Sequence, residues 1–166
     1  MENEKEAEAA EYLVSALNAD AKWLAMVKET YDVKAEANPG RILPFAEWVR
    51  ATWAGQNARE ASYLPGGVTR ENALVVARTE YFGDGAVSEI LKERPSADWM
   101  SYVCEGIVNY RFDVPRADED GAEKIRRILS GRGCSDAEIV YDFDPDFLSV
   151  IGSRPFAGET GGSSAA

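Results

Sequence analysis

At 166 residues, with a formal charge of −11 and no histidine, the chain is long enough to bury a core without disulfides or metals to hold it together. The surplus of acid argues against direct binding to nucleic acid or to an anionic membrane, because both need clustered Lys and Arg. The missing imidazole removes the usual near-neutral general base, every Ser-His or Cys-His nucleophile and the commonest transition-metal ligand.

From the N-terminus, Leu13, Ala16, Leu17, Leu24, Val27 and Tyr31 fall close to one face, with Trp23 and Met26 beside it. The spacing predicts one amphipathic helix from Glu6 to Tyr31 with acid in its first turn. Asn38-Pro39-Gly40 is a break. Phe45, Trp48, Val49, Thr52 and Trp53 then follow the i, i+3, i+4, i+7, i+8 pattern of a helix ending near Gly55. After Leu64-Pro65-Gly66-Gly67, Thr69 is placed to cap a helix over Arg70 to Tyr81. The apolar run Ala73 to Ala77 within it is continuous enough to read as a buried strand instead. Ala86, Val87, Ile90 and Leu91 predict a short helix that must stop before Pro95. Ser96 is read as the cap of one more, in which Trp99 with Val103 and Met100 with Cys104 form adjacent buried rows.

The pattern then changes period. Val108, Tyr110, Phe112 and Val114 alternate with Asn109, Arg111 and Asp113, and Pro115 closes the run, as in a strand with one face on a core. Asp120 and Glu123 have capping-box spacing ahead of Ala122, Ile125, Ile128 and Leu129, which predicts a helix over Asp120 to Ser130 closed by Gly131 and Gly133. Ile139 to Phe143 and Phe147 to Ile151 read as a hairpin turning at Asp144-Pro145-Asp146. Were the first two of these strands adjacent and parallel, the helix between them would cross over and cover one face.

The expected fold class is therefore α+β. Residues 1–106, mainly helical with four to five helices, pack on a βαββ unit over 107–151, all in a single domain of residues 1–156, with 157–166 as a small, polar, flexible tail. Met1 to Glu6 is too acidic and too poor in apolar residues for a secretory signal, and no apolar run spans a bilayer. Cys104 and Cys134 form no CxxC motif, and Cys104, in an apolar run, reads as a buried hydrophobe. A cytoplasmic location follows as the default.

Candidate sites are few. Asp142, Asp144 and Asp146 have the spacing of the first half of a calcium loop, but Phe147 stands where that loop needs glycine and Ser153 where it needs a bidentate glutamate. Solvated aspartates in a hairpin turn account for them as well. Asp118, Glu119, Asp120 and Glu123 make an acidic helix start that either complements the helix dipole or presents charge to a partner. Trp23, Trp48, Trp53 and Trp99 lie at or beside core spacing and read as packing rather than as a ligand pocket. No cofactor is implied.

The composition points to a non-enzymatic interaction module, a subunit or adaptor that another protein covers, with Phe147 to Ile151 as a sheet edge available for pairing. An acidic inhibitor that mimics nucleic acid toward a basic partner is the alternative. A carboxylate- or metal-dependent enzyme is a third.

Overall fold

The structure, a computed structural model, describes residues 2–156; the expected tail over 157–166 lies outside them. The fold is α+β, and the chain divides into two compact units, one ending at Tyr81 and the other beginning at Phe82. That boundary falls inside the last turn of a helix rather than in a linker.

The first unit is helical. The single long helix expected up to Tyr31 is two: α1 (Glu2–Asn18) and α2 (Ala21–Ala37). Asp20 causes the break, since it adopts an extended backbone and its carboxylate accepts from Trp23 N at 3.0 Å, as an N-cap does. The interruption resets the helical phase. In α1 the buried set is Ala9, Ala10, Leu13, Val14 and Leu17, whereas α2 buries Trp23 and Val27 completely. Trp23 packs edge-on against Trp53 with centroids 5.4 Å apart, and the Arg78 guanidinium lies 4.6 Å over its ring.

The next helix runs past Gly55. It starts as α3 (Phe45–Trp48), passes through a π-helical segment (Val49–Ala54) and continues as α4 (Gly55–Ala61). Its buried positions explain the wider turn. Trp48 and Val49 are followed five residues later by Trp53 and Ala54, and then at the ordinary step by Asn57, Ala58 and Ala61. A strict 3.6-residue period would rotate one of these pairs off the core, and the extra residue in the π turn keeps both there. Helix α5 (Arg70–Phe82) is helical rather than a buried strand, and Asn72 N donates to Thr69 Oγ1 at its start.

The second unit opens with α6 (Gly85–Glu93), capped by Asp84, whose carboxylate accepts from Ala86 N and Val87 N. The helix expected after Ser96 is instead a strand, β1 (Asp98–Cys104). Trp99 and Val103 share a row at helical spacing, but with Ser101 between them they also share one face of a strand. Ser101 is 3% exposed, while Met100 and Tyr102 face outward. β1 turns through Glu105 and Gly106, at φ of 51° and 78°, into β2 (Ile107–Pro115). Positive φ at both loop residues is the two-residue hairpin geometry that matches strand twist.

Helix α7 (Glu119–Gly131) follows, then β3 (Glu138–Asp144) and β4 (Phe147–Pro155). The sheet order is β1-β2-β4-β3 with every neighbouring pair antiparallel. Two expectations are thereby corrected. The strands flanking α7 are not neighbours, because β4 returns between them, and Phe147 to Ile151 belongs to an interior strand bonded on both sides. The edges are β1 and β3.

Val108, Tyr110, Phe112 and Val114 of β2 face Ala122, Ile125 and Leu129 of α7, all at most 3% exposed. This is the core of the second unit. Gly152 of β4 lies on the same face, and a Cβ there would meet the Cys134 side chain at 3.1 Å.

Candidate functional site

Two constellations in the second unit stand out, one buried and one open. The buried one joins Asp84, Tyr110 and Arg154. Asp84 accepts from the Tyr110 hydroxyl and from Arg154 Nη2 at 2.8 Å, and Arg154 Nε donates to the Tyr110 oxygen at 3.1 Å. The Asp84 and Arg154 side chains are 2% and 14% exposed. Burial, and then the hydrogen bond and charge of Asp84, hold the Tyr110 phenol well above its ordinary range. Tyr110 is therefore a fixed neutral donor. Every acceptor of Asp84 is committed to α6, Tyr110 or Arg154, so the group ties the start of α6 to β2 and β4 and offers no open position to a reacting atom.

The open constellation is the other face of the sheet. α7 packs on β2, β3 and β4 from one side, with α6 against α7. On the opposite side the register aligns Met100, Arg111 and Ile151 in one row and Tyr102, Asn109 and Ser153 in the next. These six side chains border a groove of about 410 Å³. Met100, Tyr102, Ile107 and Phe143 are 52%, 48%, 38% and 53% exposed, and Phe147 lies on the same face.

Polar contacts link the side chains of this face. Arg111 pairs with Asp113 at 3.1 Å and its guanidinium lies 5.1 Å over the Phe143 ring, while Ser149 Oγ donates to Asp113 at 2.7 Å. Asp136 accepts from both the backbone N and the hydroxyl of Ser153, which holds its carboxyl below the usual range. Asp98, Asp113, Glu138 and Asp144 also take their register positions on this face, against Arg111 as its one basic side chain among the described residues.

The acids expected to bind a partner are placed differently. Asp118, not Asp120, caps α7, accepting from Gly121 N at 3.0 Å and pairing with Arg94 at 2.8 Å. A Cβ at Gly121 would fall on the Asp118 carboxylate and the Arg94 guanidinium, so any larger residue there must displace that ion pair. Asp120 lies 3.6 Å from Arg94, and Glu123 bonds both Arg126 and Arg127, which pull its carboxyl down to about 2. Glu119 makes no ion pair among the described residues. Three of the four charges are thus matched at close range.

Asp142, Asp144 and Asp146 lie on β3 and in the turn to β4. The carbonyls of that turn converge on Arg116, which donates to Pro145 O and Asp144 O at 2.7 Å, and Asp144 Oδ1 accepts from Asp146 N. The backbone carbonyls of the turn thus serve a guanidinium, whereas a calcium loop with this spacing would draw on the three aspartate carboxylates. Among the described residues no group of three or more Cys, Asp or Glu side chains is arranged to hold a metal ion. Trp23, Trp48 and Trp53 are core residues at 0%, 6% and 3% exposure, and Trp99 is half-buried. Cys104, expected inside, is exposed because its strand turns it to the open face; Cys134 is buried.

Sequence reasoning missed the open face because β1 was read as a helix, which placed Met100 in the core. The available signal was the alternation of Trp99, Ser101 and Val103 with Met100 and Tyr102. The bond from Asp84 to Arg154 left no local signal, since Arg154 lies beyond the expected end of its strand. Compared with known proteins, the chain matches no family model, no curated protein and no solved structure.

Proposed function

We propose that the chain is a non-enzymatic protein-interaction module, a subunit or adaptor of a larger assembly. The observation that supports this most is the concentration of exposed large apolar side chains on one small sheet. Among the described residues these are Val33, Leu43, Tyr63, Met100, Tyr102, Ile107, Tyr141, Phe143 and Phe147, and the last six all belong to the four strands. Single exposed apolar residues are ordinary, whereas several on one small sheet, interspersed with polar side chains, favour a surface that a partner covers.

The bonding of Asp84, Tyr110 and Arg154 supports the same reading, because the buried polar group best suited to chemistry is spent on structure. No helix among the described residues is long and apolar enough to cross a membrane. We assign the protein to a reducing, cytoplasmic setting on the ground that neither cysteine is in a disulfide.

The test is capture of the full chain, tagged at Ala166, from a lysate of its source organism, followed by light scattering on the eluate. A complex of fixed stoichiometry is the expected result. A monomer that elutes with no companion at any salt concentration would overturn the proposal.

A further inference from the structure

We infer that the open sheet face docks a basic protein segment, one that sets an apolar side chain into the groove between Met100, Tyr102 and Ile151 and places Lys or Arg against the acids around it. This rests on the interaction reading above and names the surface and the chemistry of its occupant.

The groove supplies the apolar part. Met100 adapts its shape to an incoming side chain because its thioether chain is unbranched, and Tyr102 offers a broad ring at small entropic cost. The charge around the groove selects the partner. Each of β1, β2 and β3 contributes acid to this face through Asp98, Asp113, Glu138 and Asp144, and Asp136 lies beside it. Asp98 and Asp113 sit directly opposite each other across β1 and β2. Like charges so placed destabilise a strand pair. Arg111 relieves Asp113, but Asp98 and Glu138 make no ion pair among the described residues. An incoming cation would relieve them.

The other occupants are disfavoured by the same charges. A second copy brings its own acidic face and a net charge of −11. Nucleic acid and anionic lipid bring phosphate. The acids at the start of α7 already have Arg94, Arg126 and Arg127 beside them, so a basic segment gains less there than on the sheet.

The test is an NMR titration of the full chain with two short synthetic peptides, one alternating lysine with leucine and tryptophan, the other carrying glutamate in place of lysine. The expected result is that the lysine peptide shifts the amide signals of Met100, Tyr102, Asn109, Arg111, Ile151 and Ser153 and the glutamate peptide shifts none of them. The double variant Asp98→Lys/Glu138→Lys, at exposed positions, should weaken lysine-peptide binding by about fivefold or more at low salt. Shifts confined to Asp118 through Glu123, or equal shifts with both peptides, would overturn the inference. A chain that captures a stoichiometric partner from lysate yet shows no peptide shifts on this face would keep the interaction reading and lose this one; a chain that does neither would lose both.

Discussion

Arg154 and Asp84 are 70 positions apart in the chain and meet at 2.8 Å, with Tyr110 bonded to both. The pair joins the last strand of the second unit to the cap of its first helix. Both charges are out of bulk water, so the penalty of desolvation is met only while each has the other.

Removing one partner should therefore cost more than the pair itself is worth. Asp84→Ala leaves the Arg154 guanidinium unpaired and strips α6 of its cap, for an expected loss of about 3–5 kcal/mol in urea unfolding. Asp84→Asn should lose less, since the amide oxygen still caps Ala86 and Val87. Equal losses for the two variants, or a loss below about 1 kcal/mol for Asp84→Ala, would show that the cluster does not carry the load assigned to it.

Phe112 is fully buried at the centre of β2, between Trp99 and Val150 in the register. Phe112→Ala should destabilise the protein by about 3–5 kcal/mol. A change of a few tenths in chemical denaturation would mean that α7 does not close over this strand.

The strand around Phe112 was the most legible part of the chain, because alternation over seven residues has no helical counterpart. β1 was not legible. Asp98 to Cys104 satisfies both periods at once, and only a partner strand 107–115 at hairpin distance decides between them. The hairpin turn itself carried a weak sign, a glycine at position 106 with Glu105 forced to positive φ beside it. Asp20 was hidden differently, since one aspartate inside a continuous apolar face is enough to end a helix when its carboxylate competes for the next amides. The open face depended on both the strand assignment of β1 and the return of β4 between β2 and β3. The helical period that β1 also satisfies, and the return of β4 between β2 and β3, together concealed it.

Glu123 gives a pH dependence with a defined sign. Hydrogen bonds from Arg126 and then Arg127 lower its carboxyl from the usual 4.5 to about 2 in the folded state. A depressed folded pKa contributes stability that is complete above the unfolded value and is lost as pH falls through the folded one. The contribution should thus fade between roughly pH 4.5 and pH 2. Carbon-detected NMR titration should place the Glu123 midpoint well below those of unpaired glutamates. Arg126→Ala should move it upward, and an unchanged midpoint in that variant would contradict the assignment.

The two thiols should differ sharply in reactivity. Cys134 is buried and its thiol is pushed up to about 11, chiefly by desolvation, whereas Cys104 is exposed on the open face. With a thiol reagent at neutral pH, Cys104 should react quickly and Cys134 only on unfolding. Two equally fast thiols would mean that the contact between Cys134 and β4 opens readily in solution.

Whether another protein covers the open sheet face is decided by capture with two forms of the chain side by side. One is the natural sequence and the other carries Met100→Lys and Tyr102→Lys, both at exposed positions, with matching circular dichroism and thermal midpoint confirming the fold. The natural chain should retain a stoichiometric basic partner and the variant should lose it, because the groove is filled and the face is made less acidic. Retention of the same partner at the same stoichiometry by both would contradict it.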